Sequence, residues 1–155
     1  LGKYGDGNSY CSSSRINELN WVRTITFQEL VSYYRGLIAI RRRFSALTDE
    51  TGKAAGTIRF HMLTDQVIAY TIQSSLAGAE DTASKEQHEL VLIFNAGNKG
   101  MEVDLCQSEA LLSKEWEVLA AETHAGLSSL YTVQGHRFYV FPRGVLIAVS
   151  NHRKD

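Results

Sequence analysis

The run HELVLIFNA at residues 88–96 is the strongest strand pattern in this sequence. Its centre is an uninterrupted series of apolar side chains from Leu90 to Phe94, and the turn sequence GNKG follows at residues 97–100. A short apolar run bounded by turn residues is typical of a strand buried in a sheet. We therefore predict a buried strand over residues 88–96.

On both sides of this run the apolar pattern has a period of two. Residues 57–63 and 66–72 alternate around Thr64 and Asp65, which predicts a β-hairpin. Further strands are predicted at about residues 101–105, 115–120, 129–133, 137–142 and 145–150. Strands at this spacing, with no helix pattern between them, predict a mainly β fold, an antiparallel two-sheet sandwich with Greek-key links.

One long helix pattern precedes the strands. Its apolar positions recur every 3.6 residues and form one broad face, consisting of Phe27, Leu30, Val31, Tyr34, Leu37 and Ile38. Thr26 and Glu29 fit a capping box at its start, and the helix is expected to end near Arg43. So wide an apolar face needs a partner, either the sandwich or a segment upstream.

Composition limits the classes of partner. The 155 residues are 44% hydrophobic and 21% charged, with a net charge of −1, as in an ordinary globular domain. The net charge argues against a nucleic-acid partner, and no apolar stretch reaches the length of a membrane span. Cys11 and Cys106 show no metal-binding spacing; free thiols are the default and a disulfide is the alternative.

The sequence predicts no catalytic residue, metal site or cofactor in this chain. No G-x-S-x-G motif occurs, and the five histidines are scattered. Glu115 and Glu117 lie on one face of a predicted strand on either side of Trp116, which would suit a sugar-facing pair. Alternation in a half-exposed strand explains the same pattern more simply.

The first 45 residues contain the most specific pattern: NSY at 8–10, INELNW at 16–21 and FQELVSYYRGLIAIRRRF at 27–44. In this order they resemble the last loop and helix of the catalytic barrel in type I pullulanases. These are α-1,6-glucan debranching enzymes of the α-amylase superfamily, glycoside hydrolase family 13. VIAYTI, ELVLIFNA, WEVLAAETHAG and VLIAV are similar to strands of the family's C-terminal sandwich, so the resemblance covers nearly the whole chain.

The resemblance implies a division into residues 1–45, the end of the barrel, and residues 46–155, the C-terminal β-sandwich domain. The rest of the barrel would lie upstream of Leu1 and would be the main partner of this chain. The family's catalytic Asp, Glu and Asp belong to earlier barrel strands, so this chain is expected to be non-catalytic. A retaining hydrolysis of branch linkages in pullulan, starch or glycogen would belong to the parent enzyme, whose location in the cytoplasm or outside the cell stays open.

The resemblance also implies that the loop lines the glucan cleft. Asn8, Tyr10, Asn17 and Asn20 are the candidates for contacts with sugar hydroxyls, and Asx turns within the loop are the alternative for each. Two positions depart from the family pattern. Cys11 stands where Asn or Gln is usual, and Asn20 stands where Asp is common.

Two other functions remain open. A free-standing carbohydrate-binding module would expose a row of aromatics on one sheet face, whereas most strand aromatics here alternate into apolar neighbours, which favours the core. They are Phe60, Tyr70, Phe94, Trp116, Phe138, Tyr139 and Phe141. A structural interaction domain is the third reading. Without its barrel, the helix face at Leu30, Leu37 and Ile38 should either self-associate or fold back on the sheet.

Overall fold

Two helices and eight strands form the described part of the computed structural model, which covers residues 20–50, 57–77, 87–105 and 114–150. The helices are α1 (Arg23–Thr26) and α2 (Gln28–Arg43), and a 3₁₀ turn (Ser45–Leu47) follows them. The strands are β1 (Arg59–Leu63), β2 (Val67–Ser74), β3 (His88–Asn95), β4 (Met101–Asp104), β5 (Glu115–Ala120), β6 (Tyr131–Gln134), β7 (Arg137–Val140) and β8 (Gly144–Ser150).

The strands form two antiparallel sheets. The large sheet has the order β1-β2-β3-β8-β5-β6, and the small sheet pairs β4 with β7. The chain leaves the large sheet for β4, returns for β5 and β6, leaves again for β7, and ends with β8 between β3 and β5. The prediction of a mainly β, antiparallel two-sheet fold is confirmed, including the hairpin of β1 and β2.

The apolar run at residues 88–96 corresponds to β3, which is buried on both faces. Leu90 and Leu92 belong to the core on one side of the large sheet, and Val91 and Ile93 belong to the core on the other side. Successive side chains of a strand point to opposite faces. A strand covered on both faces therefore shows a continuous apolar run instead of an alternating one.

The first core fills the space between the two sheets. Trp116 and Phe138 are its largest members, and their rings meet edge to face with centroids 5.9 Å apart. The Trp116 indole Nε1 donates a hydrogen bond of 2.9 Å to the Gly135 carbonyl oxygen. This bond satisfies the one polar atom that the buried indole brings into the core.

The second core lies on the opposite face of the large sheet and is covered by α2. Ile40 and Phe44 pack with Ile72, Leu90 and Val149. Backbone hydrogen bonds hold the end of the helix against β2, since the Ser45 amide donates to the Ser75 carbonyl and the Ala77 amide to the Arg43 carbonyl. The small sheet, the large sheet and the second half of α2 thus form three layers.

Gly36 permits the close approach of α2 to the loop after β5. A Cβ atom built at Gly36 would lie 1.9 Å from the Ala125 carbonyl oxygen, far inside contact distance. Any side chain at this position would separate the helix from the loop. The glycine therefore serves packing here rather than backbone flexibility.

The turns at one end of the large sheet are joined by Asn95, which is buried. Its Nδ2 donates to the Lys99 and Phe141 carbonyl oxygens at 2.8 and 3.0 Å, and its Oδ1 accepts from the Gly97 amide at 2.9 Å. A buried side chain with all these partners fixes the ends of β3 and β8 relative to each other.

Inter-residue contacts divide the chain into two units, Leu1–Val31 and Ser32–Asp155. In the described part of the first unit, α1 precedes α2, so helical structure starts earlier than the sequence indicated. The predicted capping box is wrong, because Thr26 is the last residue of α1 and its hydroxyl donates to the Val22 carbonyl oxygen. The end of α2 at Arg43 agrees with the prediction.

Candidate functional site

Asn20 is the one predicted cleft residue that lies in the described part of the chain; Asn8, Tyr10 and Asn17 fall outside it. The Asn20 side chain is exposed, and its Oδ1 accepts a hydrogen bond of 3.1 Å from the Val22 amide. Its carbonyl oxygen accepts from the Arg23 amide. These bonds form a local turn leading into α1, which was the alternative to a sugar contact.

The carboxylate pair of β5 occupies a partly exposed strand face. Glu115 is exposed, and its Oε1 accepts a hydrogen bond of 2.8 Å from the Gln134 side chain of the neighbouring strand. Glu117 is half-buried, and the residues between and after the two glutamates, Trp116 and Val118, are buried. Such alternation is expected for a strand with one face on the core and the other towards solvent. It therefore gives no reason to assign catalysis to the pair.

The histidines in the described residues lie apart and make separate contacts. His61 pairs with the Thr71 hydroxyl at 3.0 Å, His136 with the Asp104 carboxylate at 3.5 Å, and His88 lies against the Phe44 ring. Burial lowers the pKa of His61, while the nearby Glu89 opposes that shift. Within the ranges that the structure describes, no group of three or more His, Cys, Asp or Glu could hold a metal ion.

A partly buried ion pair closes one end of the core between the sheets. The Lys114 ammonium contacts the Glu89 carboxylate and lies 5.6 Å from the centre of the Trp116 ring. The Glu89 amide also donates to the Ser150 hydroxyl. Each charge has a partner within the fold, so the cluster has a structural role.

Helix α2 has two apolar faces, and the described residues of the sandwich cover only one of them. Ile40 is fully buried against the large sheet, whereas Ile38 is 49% exposed. The two isoleucines lie roughly 160° apart around the helix axis. Tyr34 lies one turn before Ile38 and is exposed with it. We call the face of Tyr34 and Ile38 the outer helix face.

The sequence predicted that the helix face of Leu30, Leu37 and Ile38 either self-associates or folds back on the sheet, and the structure shows the second behaviour for part of this face. Leu37 packs against the second core, so this half of α2 folds back on the sheet as expected. Leu30 and Ile38 remain exposed. A shallow groove runs beside the outer helix face, and its lining combines apolar and cationic side chains: Arg35, Ile38, Ala39, Arg42, Arg43, Ala77 and Leu127.

A second uncovered apolar surface lies on the large sheet itself. Phe60, Leu63, Ile68 and Phe94 are exposed there, on three adjacent strands, and we call these four residues the apolar sheet end. The Tyr70 ring lies between Phe60 and Phe94, with centroid distances of 5.7 and 6.3 Å. Burial raises the pKa of the Tyr70 hydroxyl, which keeps it neutral.

The small sheet exposes a different kind of aromatic surface. Tyr139 and Phe141 are exposed and meet edge to face at 5.2 Å. Tyr139 stands opposite Glu102 in the strand pair, and Arg137 lies 3.8 Å from the Glu102 carboxylate. This surface combines rings with exposed charges.

The prediction that strand aromatics serve the core is therefore only partly right. Trp116 and Phe138 are buried as predicted. The prediction is wrong for four rings, which are exposed: Phe60, Phe94, Tyr139 and Phe141. Alternation shows which side chains share a face, but not how far the opposing layer extends over that face.

Comparison with known proteins gives one consistent result. Pullulanase from Bacillus subtilis (strain 168) is 39% identical over 74 residues, which is 45% of this chain and 10% of that protein. The structure of the pullulanase from Bacillus acidopullulyticus matches 96% of this chain and 17% of its own length, with a TM-score of 0.73 and 19% identity. The resemblance to pullulanases is confirmed. No protein-family model matches the chain.

Two further pullulanase structures match in the same way. Type I pullulanase from Bacillus subtilis str. 168, complexed with maltose, has a TM-score of 0.71, 24% identity, and coverage of 95% of this chain and 19% of its own. The Group B Streptococcus pullulanase SAP has a TM-score of 0.70, 19% identity, and coverage of 93% and 20%. The chain therefore matches one part of each of these pullulanases in fold and spans about a fifth of their length or less.

No helix in the described residues is long and apolar enough to cross a membrane.

Proposed function

We propose that this chain is the non-catalytic C-terminal part of a pullulanase-type enzyme that hydrolyses α-1,6-glucosidic branch linkages in pullulan, starch or glycogen. The observation that carries the proposal is the agreement in fold over 93–96% of this chain with only 17–20% of each solved pullulanase. A fragment of that size leaves most of the relative's length for the catalytic domain. Retaining hydrolysis would use two carboxyl groups of that domain.

The outer helix face supports a role as part of a larger domain. A globular unit rarely leaves a helix face with large apolar side chains uncovered, because burying each one contributes about 1.5–3 kcal/mol. Tyr34 and Ile38 form such a face. In the proposed division, residues 1–45 complete the barrel through α2, and residues 46–155 cover the other face of that helix and stabilise it.

The loop that precedes α1 would form part of the rim of the glucan cleft in the parent enzyme. Asn8, Tyr10, Asn17 and Asn20 are the proposed contacts for sugar hydroxyls. Asn20 reaches the cleft, in this proposal, with its Nδ2 group, because its Oδ1 accepts from the Val22 amide. Replacing Asn20 by Ala should then raise KM for pullulan more than it lowers kcat.

The test is a comparison of the parent polypeptide with the 155-residue chain alone on pullulan, measured as release of reducing sugar. The parent should be active and the chain alone should give the blank rate. An inactive but folded parent would contradict the enzyme class. Activity of the chain alone, in a preparation free of host amylases, would contradict its non-catalytic role.

A second candidate function is a carbohydrate-binding module, and the exposed ring of Tyr139 beside Glu102 and Arg137 favours it. Sugar sites combine apolar or aromatic surface with a few polar groups. Native gel electrophoresis of the chain through immobilised pullulan would test this candidate. Retardation that Tyr139→Ala abolishes would support a module, and unretarded migration would exclude pullulan binding by this surface.

A further inference from the structure

The face of the large sheet that packs against α2 continues beyond the helix. Strand register places three apolar rows on this face: Ile72–Leu90–Val149, Tyr70–Leu92–Ile147 and Ile68–Phe94–Val145. The first row is buried under Ile40 and Phe44, whereas Ile68 and Phe94 in the third row are exposed. The apolar sheet end is therefore the uncovered continuation of an interface that already packs a helix.

The chemistry of this surface suits protein packing better than sugar binding. Phe60 stands opposite Tyr70, and Leu63 stands opposite Ile68, so both extend the rows onto the edge strand β1. All four members of the apolar sheet end lack polar side-chain atoms, and the Tyr70 hydroxyl is the one polar group among the rings. A sugar site needs several hydrogen-bonding groups around its ring surface, and the four side chains of the apolar sheet end contribute none.

The dimensions suit a single helix. From β1 to β8 the surface crosses four strands, about 14 Å at the usual strand spacing, and one further row adds about 7 Å along the strands. About three helical turns, roughly 16 Å long and 10 Å wide with their side chains, would cover that area. The rows under α2 show that this sheet face packs against a helix through aliphatic and aromatic side chains.

The geometry points to a second helix-binding surface: the apolar sheet end receives the apolar face of another helix from the catalytic barrel of the same enzyme, beside α2. This inference rests on the proposed function, since it takes the preceding barrel as the partner. It adds to that function an interface that does not involve the outer helix face. The sandwich would then hold two barrel helices together, one from this chain and one from the preceding part of the enzyme.

Hydroxyl-radical footprinting with mass spectrometry tests the inference on the intact enzyme and on the 155-residue chain. Phe60 and Phe94 should be oxidised readily in the chain and about tenfold more slowly in the intact enzyme, as expected for side chains in the core of an interface. Tyr139 is the matched exposed control, because it is 54% exposed and Phe60 is 56% exposed. Tyr139 should be oxidised at the same rate in both samples.

Paired variants provide a second measurement. Phe60→Asp should lower the Tm of the intact enzyme by more than the Tm of the chain, where only the contact with Tyr70 is lost, whereas Tyr139→Asp should lower both Tm values equally. Equal oxidation of Phe60 and Phe94 in the two samples, or an equal loss of Tm for Phe60→Asp in the intact enzyme and in the chain, would overturn the inference.

Other occupants would be recognised in the same experiment. Protection of Phe60 and Phe94 in the chain by added maltotetraose would assign the surface to a glucan, and protection that grows with chain concentration would assign it to a second copy. Either result overturns the inference. The proposed function fails separately, when the intact enzyme does not hydrolyse pullulan, whether or not Phe60 and Phe94 are protected.

Discussion

The two faces of helix α2 contain similar side chains and have different environments. Ile40, with Phe44 one turn later, is buried against the large sheet. Ile38, with Tyr34 one turn earlier, is exposed. Hydrophobicity alone thus does not separate the two faces. The difference shows that the sandwich in this chain covers one face of a helix whose sequence provides for two partners.

Truncating the two isoleucines of α2 should change the stability of the chain most. Ile40→Ala should lower the free energy of unfolding of the 155-residue chain by about 3 kcal/mol, because it removes a fully buried side chain and leaves a cavity. Ile38→Ala should change it by less than about 0.5 kcal/mol, as for an ordinary surface substitution. Urea denaturation measures both. Equal losses would show that Ile38 is buried within the chain in solution.

The glycine contact on the covered side gives the next largest effect. Gly36→Ala should cost about 1–3 kcal/mol by overpacking, because its Cβ would meet the Ala125 carbonyl group. Gly126→Ala is the matched control, since a Cβ there meets nothing within 4 Å. Urea denaturation of both variants checks the prediction. Two neutral substitutions would mean that α2 does not approach the loop closely.

Acid should lower the free energy of unfolding by a smaller amount, through His61 in the large sheet. This effect should be independent of the two faces of α2. Burial lowers the pKa of His61 in the folded chain, so the unfolded chain binds its proton more readily. Thr71, Glu89 and Arg59 are the polar and charged groups that act on His61. Stability should therefore be full above about pH 6.5 and should fall as the pH drops through the lowered pKa of His61.

Urea denaturation between pH 8 and pH 5 checks this prediction. His61→Gln should flatten the pH dependence over that range. His61 lies on the opposite face of the sheet from α2, so His61→Gln should leave the difference in unfolding free energy between Ile38→Ala and Ile40→Ala unchanged at pH 8. A difference that changes in the His61→Gln background would contradict this separation.

A substitution on the outer helix face of the 155-residue chain should change stability least. Its effect should instead be seen in the self-association of the chain. Ile38→Lys should reduce any concentration-dependent self-association of the chain and leave its unfolding free energy within about 0.5 kcal/mol. Sedimentation velocity measures the association, with Tyr139→Lys as the control on the small sheet. A wild-type chain that stays monomeric at high concentration would exclude self-association by this face.

The strands could be predicted from the sequence because their apolar periods are local. The run at residues 88–96 and the turn at Thr64 and Asp65 correspond to β3 and to the β1–β2 hairpin. The start of the helix could not be predicted, because Thr26 and Glu29 fit a cap equally well whether or not a helical turn precedes them. Capping residues compete with other local hydrogen bonds, and Thr26 bonds to Val22 instead.

The uncovered surfaces were harder to predict than the strands. Phe94 and Leu92 belong to the same strand and the same face, but only Leu92 is buried, because α2 does not extend over Phe94. Periodicity identifies the face, and the extent of the covering element decides burial. For the predicted cleft, Asn20 shows the same limit, since an Asn before a helix can form a turn or bind a ligand with the same sequence.

Differential scanning calorimetry of Ile38→Ala, in the 155-residue chain and in the intact parent enzyme, tests whether the rest of the enzyme covers the outer helix face. If the outer helix face packs against a barrel, Ile38→Ala should leave the Tm of the chain unchanged and should lower that of the parent by at least about half as much as Ile40→Ala does. A parent enzyme in which Ile38→Ala is as neutral as in the chain would contradict the claim that this face is covered by the rest of the enzyme.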